Sequence, residues 1–272
     1  MAILHGTIVE ETTGEKLDAK VHVLNAMGNF SHPHNSLLKR GPGTQFFFSD
    51  GEFEIRGSRG RTDILVERGT EYEPYRTTVE LPEKGCVDIE IPLRRWHHPQ
   101  ERHWYPGNTH IHYDENEKQP DRRLSVDCSV EGYNVTCVSV LDRRQLPYAS
   151  NKYPIGVMNE FKTAHHVLDI GEENRHYGDN SPWGFGYGHV MFLNIRNLVQ
   201  PVSRGHTLTG QFDPDYPPLC FCCDEARDQG GLVIWCHNGR GMEAPIAATL
   251  GKLDPGWFRR QHCRPVAAVD CS

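Results

Sequence analysis

Polar and apolar residues alternate in short runs over the first ninety-odd positions. The runs at 6–10, 20–24, 52–56, 62–67 and 87–93 are rich in Val, Ile and Phe and are separated by Gly, Asp and Asn, the pattern of half-buried strands joined by turns. The clearest is Glu52-Phe53-Glu54-Ile55-Arg56, entered from the turn signal Ser49-Asp50-Gly51. Side chains alternate sides along a strand, so Phe53 and Ile55 share one face and the three charged residues share the other. An all-β module is predicted over residues 1–96. At Arg94-Arg95-Trp96-His97-His98-Pro99-Gln100 polar, aromatic and Pro residues replace the alternation, which places a domain boundary there.

From Trp104 the pattern changes to apolar runs that end in, or lie beside, side chains able to bind a metal. They are Asn108-Thr109-His110-Ile111-His112, the run 136–142 ending in Asp142, the run 166–173 ending in Glu172-Glu173, Gly188-His189 with the apolar residues after it, and the run 231–237 ending in Cys236-His237. Helices are predicted at 125–133 and 221–229. Apolar runs alternating with helical segments point to parallel strands with crossovers, a fold in which chemistry gathers at the carboxyl ends of the strands. The predicted class is therefore α/β plus all-β, with an α/β domain at 97–272.

Composition narrows the function. The chain has 272 residues, 29 Lys+Arg against 36 Asp+Glu, a net charge of −7 and 37 % hydrophobic residues. It is expected to fold around a core, and the acidic balance argues against tracking a nucleic-acid backbone. No run approaches the ~18 apolar residues of a membrane span. The N-terminus Met1-Ala2-Ile3-Leu4-His5-Gly6 has no basic segment followed by an apolar one, so a cytoplasmic location is expected. Nine cysteines, clustered only at Cys220, Cys222 and Cys223, read as mostly reduced, inert thiols.

The sixteen histidines carry the sharpest signal. His110 and His112 are two apart on a predicted strand, so both imidazoles can reach one ion. Asp142, Glu173, His189 and His237 end or flank the other strands, and a closed barrel would gather these groups on one rim. Nitrogen and carboxylate ligands together suit zinc, manganese or iron, and a carboxylate can bridge two ions. A Cys236-His237 nucleophilic pair is disfavoured, because strand neighbours point to opposite faces.

Two family resemblances follow from these residues. Gly6-Thr7-Ile8-Val9, the segment Gly14-Glu15-Lys16-Leu17-Asp18-Ala19-Lys20-Val21-His22-Val23, and Ser49-Asp50-Gly51-Glu52-Phe53 resemble the carboxypeptidase-regulatory-like β-sandwich modules that precede many enzyme domains. The series Thr109-His110-Ile111-His112, Gly171-Glu172-Glu173, Gly188-His189-Val190 and Gly230-Gly231-Leu232-Val233-Ile234-Trp235-Cys236-His237-Asn238-Gly239 resembles the PHP superfamily, in particular its CehA/McbA-type metallohydrolases. That resemblance implies a distorted β/α barrel of PHP type and a di- or trinuclear site of divalent ions, at which a metal-activated water attacks an ester. His110 and His112 would be the first ligand pair, Glu173 the bridging carboxylate with Glu172 as fallback, and His189 and His237 further ligands.

The chain also departs from that family. Asp142 is followed by Arg143 where the family has His; a guanidinium cannot ligate, which leaves Arg143 to clamp a substrate phosphate or carboxylate. His176, three residues after Glu173, is the second candidate to face substrate. The family's late Gly-Ser-Asp or Asp-x-His element is absent after Asp254, so the barrel is expected to be incomplete at the C-terminus. The expected function is hydrolysis of a small-molecule ester, either a phosphoester or a carboxyl or carbamate ester. The alternative is a non-catalytic binding or self-assembly protein, since an incomplete barrel would expose strand edges that pair between copies as a homo-oligomer.

Overall fold

The computed structural model describes residues 1–41, 44–113, 117–141, 148–176, 188–204 and 217–236. Two compact units divide the chain: Met1–Gly107 with Asp121–Val135, and Asn108–Pro120 with Thr136–Ser272. Strands dominate the described residues, with two α-helices among them. No helix among these residues is long and apolar enough to cross a membrane.

The first unit holds strands β1 (Ala2–Glu10), β2 (Ala19–Leu24), β3 (Leu38–Gly41), β4 (Thr44–Ser49), β5 (Glu52–Gly57), β6 (Gly60–Glu67), β7 (Tyr75–Leu81) and β8 (Gly85–Leu93). They form a three-stranded sheet in the order β5-β1-β8 and a five-stranded sheet in the order β3-β4-β2-β6-β7. The alternation read from the sequence sets what each sheet buries. Along β5, Phe53, Ile55 and Gly57 are buried and the residues between them are exposed. The inward faces of both sheets meet in one core of Leu4, Ile8, Val21, Val23, Phe47, Phe53, Ile64, Val66, Ile91 and Leu93. Phe47 and Phe53 meet edge to face, 5.5 Å between centroids. Gly6, opposite Phe53 in the β1–β5 register, leaves room for that ring; a Cβ there would lie 2.3 Å from it.

Helix α1 (Pro120–Val130) covers the wider range 120–130 where 125–133 was predicted. Its Val126 and Val130 pack on Phe46 and Phe48 of β4 and on Leu37. Arg123 donates to the Leu38 carbonyl, and just past the helix Glu131 pairs with Lys20 at 3.0 Å.

In the second unit β9 (Gly107–Ile111), β10 (Val135–Val140), β12 (Val167–His176), β13 (Gly188–Leu193) and β15 (Leu232–Cys236) form one sheet in the order β15-β13-β12-β10-β9. The two-residue strands β11 (Gly156–Val157) and β14 (Ser203–Arg204) pair with β12. Here the structure corrects the expectation of parallel strands: β12 pairs antiparallel with β13, and β13 antiparallel with β15. Only eleven residues lie between His176 and Gly188, fewer than the dozen or more that a parallel crossover requires.

Helix α2 (Leu219–Asp228) buries Leu219, Cys222, Cys223 and Ala226, a stripe at helical spacing. The stripe packs on Val190 and Phe192 of β13 and on Ile195 and Val199. Burial pushes the Cys223 thiol up to about 11, so these cysteines behave as small apolar residues. With α2 on the Val190–Phe192 side, the opposite face of β13, which carries His189 and Met191, is left for other contacts.

At Gly171 the approach of β13 leaves no room for a side chain, since a Cβ there would lie 2.3 Å from the Phe192 carbonyl oxygen. Gly171→Ala is expected to lower the unfolding free energy by about 2 kcal/mol, read as a shift of the urea midpoint at unchanged slope. An unshifted midpoint would contradict that approach.

Candidate metal centre

Register and period two together determine which side chains meet. Residues directly opposite in an antiparallel pair point the same way, as do residues two apart on one strand. In the β12–β13 pair Glu173 is opposite Met191 and Arg175 opposite His189; in the β13–β15 pair His189 is opposite Cys236. Glu173, Arg175, His189, Met191 and Cys236 therefore share one face, away from α2. Glu172 and Asn174 take the other. There Glu172 accepts from the Asn174 amide at 2.6 Å and from the Val199 N–H at 2.7 Å, and Asn174 donates to the Pro201 carbonyl at 3.0 Å. Glu172 thus ties β12 to the segment that follows β13, and Glu173 is the carboxylate turned to the histidines.

Glu173 is fully buried. Its Oε2 lies 3.2 Å from His110 Nε2 and 2.5 Å from His112 Nε2, while its Oε1 lies 2.8 Å from His189 Nδ1. Arg175 grips both oxygens, Nε on Oε1 and a terminal nitrogen on Oε2, each at 3.0 Å. Burial pushes the Glu173 pKa up, but the contacts from His110, His112, His189 and Arg175 outweigh it and hold the carboxyl far below its ordinary range. It is ionised in the folded protein.

His110 and His112 reach the same oxygen from the end of β9. His110 is on the strand and His112 follows directly after it; their Nε2 atoms are 3.0 Å apart and their rings are perpendicular. The His110 N–H is held by Asn108 Oδ1 at 3.0 Å. His112 Nδ1 lies 3.0 Å from the Ser139 carbonyl of β10. A carbonyl only accepts, so Nδ1 carries a proton and a neutral His112 turns the lone pair of Nε2 toward Glu173. The Tyr148 ring flanks His112, 5.6 Å between centroids.

His110 Nε2, His112 Nε2 and Glu173 Oε2 thus converge, an arrangement that a proton or a cation among them satisfies. Two atoms bonded to one ion at about 2.1 Å with tetrahedral angles stand about 3.4 Å apart. The 3.0 and 3.2 Å separations are close to that, whereas His112 Nε2 and Glu173 Oε2, at 2.5 Å, stand in direct contact and would have to part by about 0.9 Å to share a divalent ion. These three groups could hold one ion, as could Glu173, His189 and Cys236. A carboxylate offers about four acceptor sites. Arg175 takes two, leaving one on Oε2 toward the His pair and one on Oε1 toward His189.

Of the six predicted metal ligands, His110, His112, Glu173 and His189 meet here. Asp142 and His237, together with Arg143, lie outside the described residues. His176 ends β12, and its side chain is likewise outside the description. His166, at the start of the same segment, is buried with Nε2 3.2 Å from Thr136 Oγ1, and burial lowers its pKa. Sequence reasoning missed Arg175 and Cys236. The period-two rule that paired His110 with His112 also pairs Arg175 with Glu173. Cys236 needed the β13–β15 register, which no local pattern encodes; burial raises its thiol to about 12.

No protein-family model matches the chain, and no curated protein matches it. Among solved structures, a match is found to the crystal structure of GBS52, the minor pilin of the Gram-positive pathogen Streptococcus agalactiae, at 15 % identity and a TM-score of 0.26. It covers 36 % of this chain and 45 % of the pilin chain. The chain therefore spans less than half of that structure, and a TM-score this low carries no argument about fold or function.

Glu173 gives the centre a defined response to acid. Its folded pKa is depressed, so its stabilisation is complete above the unfolded value of about 4.3 and is lost as pH falls below it, when the unfolded chain takes up the proton first. Glu173→Gln, which leaves Arg175 buried without its counter-charge, is expected to cost about 3 kcal/mol at pH 7. Denaturation at stepped pH should show the gap between the two proteins narrowing from about pH 5 to pH 3. A constant gap would contradict an ionised Glu173.

Proposed function

We infer that the chain is a metal-dependent hydrolase of ester-type bonds, phosphoesters or carboxyl and carbamate esters. The observation that carries this reading is the convergence of His110, His112 and His189 on the two oxygens of one buried, ionised carboxylate. Zinc, manganese or iron suits that donor set.

His110, His112 and Glu173 would hold a divalent ion, which would supply Lewis acidity toward a water and toward negative charge developing on the ester. The chain's own residues do the rest. Ser139 fixes the His112 tautomer through its carbonyl, and Asn108 fixes the backbone of His110. Arg175 holds the plane of Glu173 and keeps it charged, so the carboxylate presents one oxygen to each side. The reading assigns no step to Asp142, Arg143, His176 or His237. Cys86, Cys137, Cys220, Cys223 and Cys236 are unbridged thiols, which supports the cytoplasmic location proposed with it.

One observation favours a second reading. Arg175 gives Glu173 a permanent counter-charge, so the network is satisfied electrostatically as a structural ion pair, as in a non-catalytic binding or self-assembling protein.

Elemental analysis of the purified chain and assays with aryl phosphates and carboxyl esters separate the two. The hydrolase reading expects bound divalent metal and an activity that His110→Ala lowers by more than about 100-fold, beyond the usual cost of losing a group that only supports a ligand. Metal-free protein that gains neither metal nor activity on supplementation would support the second reading instead.

A further inference from the structure

The three-stranded sheet of the first unit ends on β5, which among the described residues pairs with β1 alone. The register sets the direction of its backbone groups. The Ile8 N–H donates to the Gly51 carbonyl at 2.8 Å, so hydrogen-bonded pairs recur at Gly6–Phe53 and Leu4–Ile55, and the residues between them turn their N–H and C=O away from β1. Glu52, Glu54 and Arg56 are those residues. The Glu52 carbonyl already accepts from the Ser49 hydroxyl at 2.8 Å. Glu54 and Arg56 have no backbone partner on that side among the described residues, which leaves a short open edge.

A cleft of about 730 Å³ opens beside this edge, within the range of clefts that enclose a ligand, about 300–1,000 Å³. Phe47 of β4, Phe53 of β5, Val126 of α1 and Leu37 give it an apolar lining. Its charges are unevenly matched: the carboxylates of Asp18, Asp50, Glu52 and Glu54 stand against Lys16 and Arg122. Glu52 is paired with Lys16 at 2.5 Å and Asp18 with Arg68, while Arg122 donates to the Asn35 carbonyl at 3.3 Å. Asp50 and Glu54 are exposed. Asp50 makes no ion pair among the described residues, and Glu54 meets Arg56 at 3.9 Å, an exposed pair of the kind that contributes little. Negative charge at the cleft is thus left for an outside cation.

We propose that β5 and this cleft form a docking site for an extended peptide in which basic and apolar residues alternate. The peptide lies along β5 as an added strand, its backbone bonded to the outward groups of Glu54 and Arg56. A residue directly opposite Glu54 shares its face, so a lysine or arginine there pairs with that carboxylate. The residues on either side of it turn to the other face and bury apolar side chains in the cleft. That alternation complements β5 itself, along which Glu52, Glu54 and Arg56 are exposed and Phe53 and Ile55 buried. The site belongs to the first unit and does not depend on the metal reading of the second.

The test is titration of a fluorescein-labelled peptide of alternating lysine and valine with the full chain, read by anisotropy, with amide exchange at Glu54 and Arg56 read by NMR. Saturable binding that slows exchange of both amides is expected, and a glutamate–valine peptide should bind more weakly. Glu54→Pro removes an outward N–H without touching the β1 ladder and should weaken binding about tenfold or more; Glu54→Lys should weaken it as well. A wild-type chain that does not bind the lysine–valine peptide overturns the proposal. Binding that leaves both amides exchanging freely and survives Glu54→Pro also overturns it, since the peptide is then held by charge elsewhere. Amides already protected in a free chain that sediments as a dimer assign the edge to a second copy and overturn the peptide site. Because the wild-type amides decide the matter, a variant that failed to fold would leave the test intact.

Discussion

A carboxylate removed wholly from water must be compensated by charge or hydrogen bonds, because the bare ion in a low-dielectric surrounding costs several kcal/mol even after relaxation. Glu173 is such a group, and the compensation is unusually concentrated: a guanidinium grips both oxygens, and three imidazoles close around what remains. These contacts hold the carboxyl ionised against burial. An arrangement with three imidazoles on one carboxylate exceeds what neutralising a single charge requires. Arg175 alone does that, and the surplus donors are what a cation would use.

The sheet makes this concentration possible. β12 carries acidic residues on both faces, and each face is committed to a different task. Glu172 and Asn174 bind the backbone that follows β13, which fixes the strand. Glu173 and Arg175, on the other side, are held in register against His189 by the β12–β13 ladder. Helix α2 occupies one side of β13 with an apolar stripe, so the polar groups gather on the opposite side. The lack of a side chain at Gly171, where a Cβ would meet the Phe192 carbonyl oxygen, lets the two strands lie close beside the site.

Much of the local structure was legible because it depends on neighbours in sequence. The alternation at 52–56 gave the buried Phe53 and Ile55, the His-x-His spacing gave two imidazoles meeting at one oxygen, and the helices at α1 and α2 came within a few residues of their predicted spans. What depends on pairing between distant strands was not legible. The antiparallel order of β12, β13 and β15 is one case, and the approach of Cys236 to His189 is another, since periodicity says which face a residue takes but not which strand lies beside it. Arg175 falls between these cases: its face followed from period two, but a charged residue two positions from a carboxylate reads by default as a solvated pair, and only its burial changes that meaning.

Anomalous diffraction from crystals of the full chain grown with zinc, with data collected on both sides of the zinc absorption edge, tests the central claim most directly. The account predicts an edge-dependent peak bonded to His110 Nε2, His112 Nε2 and Glu173 Oε2, with Arg175 still gripping the carboxylate. The absence of any such peak there, with His110 and His112 remaining in direct contact with Glu173, would contradict it and leave the cluster as a structural ion pair.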